Sequence, residues 1–451
     1  MSLARYALRG DDYSMKTEQI GMKEDKQAQP RLFSGVFIAI IGVALFCFMA
    51  GQGLNSGISV YVNRLGGSAT LAGIGAAVFS GAAIVGRLVS GPLADTRGRF
   101  IVMLSGGVVL LVGMVGAGMF NDLDYLMLWR TLQGLGFSAV TTAAATAAAD
   151  VLPVERLGEG IGYYGLGQAI AMTMGPAVAI ALVSTNPPEN LFWGLSVAAA
   201  LVLVFCLFCR YEKHPERLPE TATYRTQMAA KAKNDSDASA DHECEKQGGL
   251  LGSIFEPKAL VGGIPFMVLS PAYGFGIFFT GLLGASLGVG NAGLFYTLSA
   301  VAMIVVRLSS KAFMDRVLAI KLFAIAVAAG VVCFSMLLVT TLPVIDGPAR
   351  DIVFYAAGIF YGLSLGMALP VNQSVAVKNS SAERWGAANG LFLMLMDLGI
   401  GAASVVWGMT NDQFGFTFTI ACVIVCIVAS LGVAYLMYPS FAKHSKGSSR
   451  S

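Results

Sequence analysis

Residues 85–100 read VGRLVSGPLADTRGRF, and residues 305–317 read VVRLSSKAFMDRV. The arginine–aspartate spacing is the same in both. Arg87 and Asp95 in the first stretch return as Arg307 and Asp315 in the second, 220 residues further on. Each stretch ends one long apolar run and leads into another. Repetition at that distance in a chain of 451 residues marks two copies of one architectural unit. A second correspondence, at a slightly different offset, links Gly134-Leu135-Gly136 to Gly362-Leu363-Ser364-Leu365-Gly366. Two copies pointing the same way imply a pseudo-twofold axis along the normal of a membrane.

Outward from the repeat, 55% of the chain is hydrophobic and 13% is charged. The charged share is about half of what a soluble surface carries. This excludes a soluble enzyme, a nucleic-acid-binding domain and a disulfide-built secreted scaffold. The apolar residues gather into twelve runs: 33–58, 70–92, 100–120, 125–149, 159–183 and 191–210, then 259–284, 290–312, 319–341, 352–376, 386–409 and 415–438. Each approaches the ~20 residues that a helix needs to cross hydrocarbon. Barrel strands would be shorter and strictly alternating. The expectation is an all-α polytopic membrane protein with twelve transmembrane helices in two pseudo-symmetric six-helix bundles, 33–210 and 259–438. A polar cytoplasmic linker, 211–258, joins them, and cytoplasmic tails, 1–32 and 439–451, flank them. Residues 215–250 lack the apolar content for a core and are expected to be weakly ordered. With the N-terminus inside, the outward loops hold only Arg64 and Arg350, while twenty-five lysines and arginines fall on the inward side. Both termini are therefore placed in the cytoplasm.

Between the second and third runs, Gly91, Asp95, Arg97, Gly98 and Arg99 combine glycines suited to a tight turn with an acid suited to a helix N-terminus. Asp315 and Arg316 mark the matching place in the second half. The expected role is a conformational latch, with Asp95 near Gly386 at the start of the eleventh run and Arg97 or Arg99 close enough to pair with it. Arg130 lies inside the fourth run, where an arginine is costly and is expected to face protein. Asp397 is the one acid near the middle of any run. Desolvation disfavours its charged form, so it is a candidate for proton exchange, with Arg130 the second candidate. Gly175 and Pro176 bend the fifth run and permit close approach, and Gly358, Gly362 and Gly366 line one face of the tenth. Gln52, Asn55, Gln133, Gln168, Tyr273 and Asn389 are candidate polar groups of a substrate cavity, with helix packing the alternative at each. His214, His242 and His444 lie outside the runs, the seven cysteines form no metal-binding pattern, and no nucleotide-binding loop occurs. No cofactor or metal is called for.

These motifs carry a resemblance to the major facilitator superfamily over about residues 33–438. In that family the loop after the second helix carries G-x-x-x-D-R/K-x-G-R-R/K. Gly91, Asp95, Gly98 and Arg99 match it, Thr96 and Phe100 depart from it, and Arg97 offers a charge in place of the missing one. The fourth helix carries R-x-x-Q-G-x-G, matched by Arg130, Gln133, Gly134 and Gly136. Proton antiporters of the family add G-x-x-x-G-P-x-x-G-G in the fifth helix. Gly175 and Pro176 match that pattern, while Ala171, Ala179 and Ile180 stand where glycines belong. Asp397-Leu398-Gly399 is similar to an Asp-Leu-Gly of prokaryotic efflux-like members. The resemblance implies a central cavity opening alternately to each side, a latch that holds the outward-open state, a part for Arg130 in proton-linked change, and a prokaryotic cell-membrane protein. The expected function is secondary active, proton-coupled export of small amphiphilic organic compounds. The alternative is a proton symporter or uniporter importing a small metabolite, for instance a carboxylated one. Expected partners are the solute, protons and membrane lipids, without nucleic acid. The expected state is a monomer, and an enzymatic role is not expected.

Overall fold

Lipid offers backbone amides no partner, so apolar runs close their hydrogen bonds within helices. The structure is a computed structural model that describes residues 32–120, 122–219, 221–226, 228, 256–314, 317–380 and 384–438. Its first group of helices is α1 (Gly35–Arg64), α2 (Ala69–Arg97), α3 (Arg99–Met119), α4 (Leu126–Val151), α5 (Leu157–Val183) and α6 (Asn190–Cys206). The second group begins with α7 (Leu260–Phe278), which has a short continuation, Thr280–Ser286. It goes on with α8 (Gly293–Met314), α9 (Ala319–Thr340) and α10 (Pro348–Lys378). The last element, Trp385–Met437, is interrupted at Gly415, whose φ of 77° and ψ of 175° no helix accepts. The part before Gly415 is α11 and the part after it is α12.

Among the described residues nine helices are long and apolar enough to cross a membrane, Ala387–Met437 counting as one despite its break. α4 is not among them: it is 26 residues long but carries Arg130, Gln133 and four threonines. α8 contributes only the shorter apolar stretch Gly293–Ser309. The fold is therefore all-α and polytopic, and length and apolarity alone do not reach a count of twelve.

Two sequence boundaries need correction. The motif beginning at Gly91 is not a loop, because α2 continues through Pro92 to Arg97 and α3 starts at Arg99. The whole turn is Gly98, at φ 96°, and a Cβ there would lie 2.9 Å from Glu212 Oε2. The expected weak order from residue 215 does not hold for 215–219 and 221–226. Leu218 and Ala222 are buried, and Pro153 and Ala222 form an antiparallel bridge. Val154 N donates to Thr221 O at 3.0 Å, and Thr223 N to Leu152 O at 3.0 Å. Apolar side chains and a short run of backbone bonds thus tie this part of the linker to the α4–α5 connection. Residues 229–255, both tails (1–31 and 439–451), Asp315 and Arg316 lie outside the described residues.

Packing divides the helices by chain order. α1 lies against α4, α5 and α6, and α4 also packs on α2 and α3. Beyond the linker, α10 packs on α7, α8 and α9, and the Trp385–Met437 element packs on α7 and α9. Two main seams join the groups, α2 against α11 and α5 against α8, and α1 also touches α7 and its continuation, where Ser59 Oγ donates to Phe278 O.

Candidate functional site

The α2 face of the first seam is set by spacing. Gly73, Ala77, Ser80, Arg87 and Gly91 follow one another at helical intervals, and Gly408, Ser404, Gly401, Asp397 and Gly390 answer them on α11 in the opposite direction. At the Ser68 end the backbones touch. A Cβ on Gly408 would lie 2.6 Å from Ala69 O, and one on Gly73 would lie 2.3 Å from Ser404 O. One on Gly401 would lie 2.6 Å from the Ser80 Cβ. Halfway along, long side chains bridge the helices: Arg87 Nε donates to Asp397 Oδ2 at 3.1 Å. At the Gly98 end, Cβ atoms on Gly91 and Gly390 would meet nothing within 4 Å. The second seam behaves alike. A Cβ on Gly293 would lie 3.4 Å from Ala177 O, and beside this seam, on the α7 continuation, one on Gly281 would lie 2.4 Å from Ile180 Cδ1 of α5. One on Gly165 would lie 3.8 Å from Arg307 Nη1, and Gly162 and Gly158 face open space. The two groups of helices are therefore shut together at the Ser68 end and splayed at the Gly98 end.

The Arg87–Asp397 pair is the charged centre of this arrangement. Its side chains are only 10% and 15% exposed, and each comes from a different group. Withdrawing either ion from water is expensive, and the other offsets that cost only while the seam keeps them in register. Asp397 thus faces α2 and not lipid. The sequence reading singled out Asp397 but not its partner. The signal for Arg87 was the repeat, since Arg307 occupies the matching place on α8 and faces α5.

Arg130 is brought elsewhere. It is fully buried, with Nε donating to Gly75 O at 3.0 Å, Nη2 to Asn55 Oδ1 at 2.5 Å and Nη1 to Gln133 Oε1 at 3.5 Å. Its guanidinium also lies 4.5 Å from the centre of the Phe79 ring. Gln133 Nε2 donates in turn to Gly113 O at 2.8 Å. Arg130, Asn55 and Gln133 therefore form one neutral-partnered network that ties α1, α2, α3 and α4 within the first group. It does not reach Asp397.

The other candidates scatter. Tyr273 is buried in the second group, its hydroxyl 3.2 Å from Ser364 Oγ. Asn389 accepts from Gln373 Nε2 at 2.6 Å, joining α11 to α10. Gln52 on α1 and Gln168 on α5 are half-buried. A Cβ on Gly175 would lie 2.7 Å from Met49 O, so Gly175 and Pro176 mark the place where α5 crosses α1 closely. Cβ atoms on Gly358 and Gly362 would lie 2.2 Å from Phe295 O and Ser299 O, and one on Gly366 3.3 Å from Met303 Cα. These three glycines seat α10 on α8.

At the Gly98 end, Arg99 forms an ion pair with Asp150 at 3.1 Å, and Asp150 accepts from the Tyr211 hydroxyl at 2.8 Å. The acid at the N-terminus of α3 is Glu212, which accepts from Arg99 N at 2.8 Å and Phe100 N at 3.0 Å. Burial, with Glu212 beside it, raises the Tyr224 phenol above its ordinary value. Arg97 is exposed. The side chains of Asp95 and of the first residues of α11 lie outside the described residues, as does any contact between them. Among the described residues, no group of three His, Cys, Asp or Glu side chains converges as a metal site.

A family profile described as Major Facilitator Superfamily matches residues 32–347. The staphylopine export protein of Staphylococcus aureus (strain Mu50 / ATCC 700699) is 25% identical over 411 residues, spanning 90% of this chain and 96% of its own. In structure, the chain is similar to a D-xylose-proton symporter, with a TM-score of 0.67 and 14% identity over 89% of this chain and 96% of that one. It is also similar to the nucleoside transporter NupG, with a TM-score of 0.62 and 16% identity over 90% and 99%. At such identities the likeness in structure speaks for the fold. The profile, spanning most of the chain, speaks for the family. The protein thus belongs to the Major Facilitator Superfamily, as a polytopic membrane protein that carries out secondary transport by alternating access and is not an enzyme.

Proposed function

We propose that the chain carries a small carboxylated solute together with a proton. Two six-helix units, 33–210 and 259–438, rock about the α2–α11 and α5–α8 seams, joined by the linker 211–258. The observation that supports this is the buried Arg87–Asp397 pair between the units. A solute carboxylate that takes Arg87 from Asp397 leaves that acid as a lone ion in a poorly solvated place. A proton relieves the cost. Solute and proton then bind together and travel together, which is symport. Arg307, on the second seam at the matching place of the repeat, offers another guanidinium to an anionic solute. This favours the alternative stated from sequence, uptake of a carboxylated metabolite, over export of weakly charged amphiphiles.

Orientation follows from the basic residues. Arg97, Arg99, Arg156, Arg210, Lys213, Lys378 and Arg384 belong to the Gly98 end of the helices, which we place in the cytoplasm with both termini. The splayed end is then cytoplasmic and the conformation inward-open. Gly91 and Gly390, small and facing open space, suit the closure that makes the outward-open form, and the Asp95 latch belongs to that closed state. Export by proton antiport is the second reading. It draws on the name of the staphylococcal relative, which is similar over most of both chains. Uptake into right-side-out and everted vesicles, with an imposed pH gradient and a panel of carboxylated and cationic amphiphilic solutes, separates the two. Symport predicts accumulation of a carboxylate on the alkaline side. Accumulation of a solute on the acidic side supports antiport and contradicts the proposal.

A further inference from the structure

The Ser68 end of the α2–α11 seam holds a contact for which the sequence reading had no counterpart. Asp412, beyond Trp407 on α11, reaches the first turn of α2. Its Oδ1 accepts from Ala69 N at 3.1 Å, and its Oδ2 accepts from Thr70 N at 2.8 Å and Thr70 Oγ1 at 2.6 Å. The first amides of any helix lack partners within it. Ser68 supplies the local cap, but its hydroxyl oxygen is used by Leu71 N. The amides of residues 69 and 70 are satisfied across the seam by a carboxylate of the other group. Negative charge at that end also suits the helix dipole. Close by, Ser404 Oγ donates to Gly73 O at 2.9 Å, and Gly408 lies directly against Ala69 O.

We infer that Asp412 is the clamp of the gate at the Ser68 end, a contact made only while that end is shut. It lies across the seam from the helix it caps. Losing it therefore leaves the packing within each group intact and weakens only the shut form. It stands to the Ser68 end as the expected Asp95 latch stands to the other end: an acid of one unit held at a helix start of the other. The inference rests on alternating access, but not on the identity of the solute.

The test needs no solute. Ser404 is fully buried in the seam, so a Ser404→Cys reporter in right-side-out vesicles reacts with a membrane-impermeant maleimide only when the outer end opens. Protein without the reporter gives the blank for native cysteines. Asp412→Asn and Asp412→Ala are expected to raise the labelling rate about three- to tenfold, the scale of losing a helix cap. Thr70→Val, which removes one of the three donors, is expected to give a smaller rise. Unchanged labelling in all three, in protein that remains monodisperse and membrane-inserted, overturns the clamp. So does a lowered melting temperature with no gain in labelling, because Asp412 would then serve the fold and not the gate.

Discussion

Removing one partner of the Arg87–Asp397 pair should cost far more than removing both. At 3.1 Å and an effective dielectric of about 20, their attraction is about 5 kcal/mol. Most of that offsets the desolvation of two ions that are 10% and 15% exposed. Asp397→Leu strands the guanidinium, and Arg87→Met strands the carboxylate. Each single change is expected to destabilise by about 3–5 kcal/mol, with Arg87→Met at the lower end because Asp397 can bind a proton. The double variant Arg87→Met/Asp397→Leu replaces both ions with apolar groups and should return to within about 1 kcal/mol of the parent. The cycle then gives a coupling of about 5–10 kcal/mol, at least ten times the ~0.5 kcal/mol within which independent sites add. Denaturant melts of detergent-solubilised protein measure stability, and proteoliposomes measure transport. The double variant should be stable yet unable to concentrate solute. Singles that each cost under ~0.5 kcal/mol, with a double equal to their sum, would refute the reasoning, because the pair would then be solvated and incidental.

Other outcomes follow from the same geometry. Gly91→Leu and Gly390→Leu meet open space, so melting should be unchanged while transport falls at least about tenfold, the cleft being unable to close. Gly73→Leu and Gly408→Leu press on backbone oxygens at the shut end and should instead lower the melting temperature or prevent insertion. Arg130→Ala empties a buried network and should cost about 3–5 kcal/mol, read as loss of folded protein in detergent. A stable Arg130→Ala that binds solute normally but fails to couple would support Arg130 as a coupling residue. Glu212→Ala uncaps α3 and should cost about 1 kcal/mol in the same melts, with transport retained in the folded fraction.

The helices were legible because lipid leaves an apolar run little choice of structure, and the repeat around Arg87 and Arg307 already divided the chain. Ends were less legible. Hydropathy stopped the second run at Pro92, but a proline inside a helix costs only local bonds, and α2 carries on to Arg97. Hydropathy parts the last two runs at 410–414, whereas the helix runs on through those residues and breaks at Gly415 alone. Among site residues, Arg130, Asn55 and Gln133 each looked polar within a run, but their convergence depends on α1, α2 and α4 meeting at one depth, which periodicity does not encode. Asp397 stood out by its solitude. Its partner did not, because the pairing joins helices 310 positions apart in sequence. Asp412 lies between the eleventh and twelfth runs, and only the meeting of α2 and α11 gives it a role.

The central claim is that solute and proton bind together because the solute takes Arg87 from Asp397. The most direct measurement is proton exchange on binding, followed with a pH-sensitive dye in weakly buffered detergent solution near neutral pH. A carboxylated solute that binds, as shown by a raised melting temperature, should draw about one proton per protein from solution, by linkage. The uptake should vanish in Asp397→Asn, although the solute still binds. Proton release on binding, or equal uptake by the Asp397→Asn protein, would contradict the account.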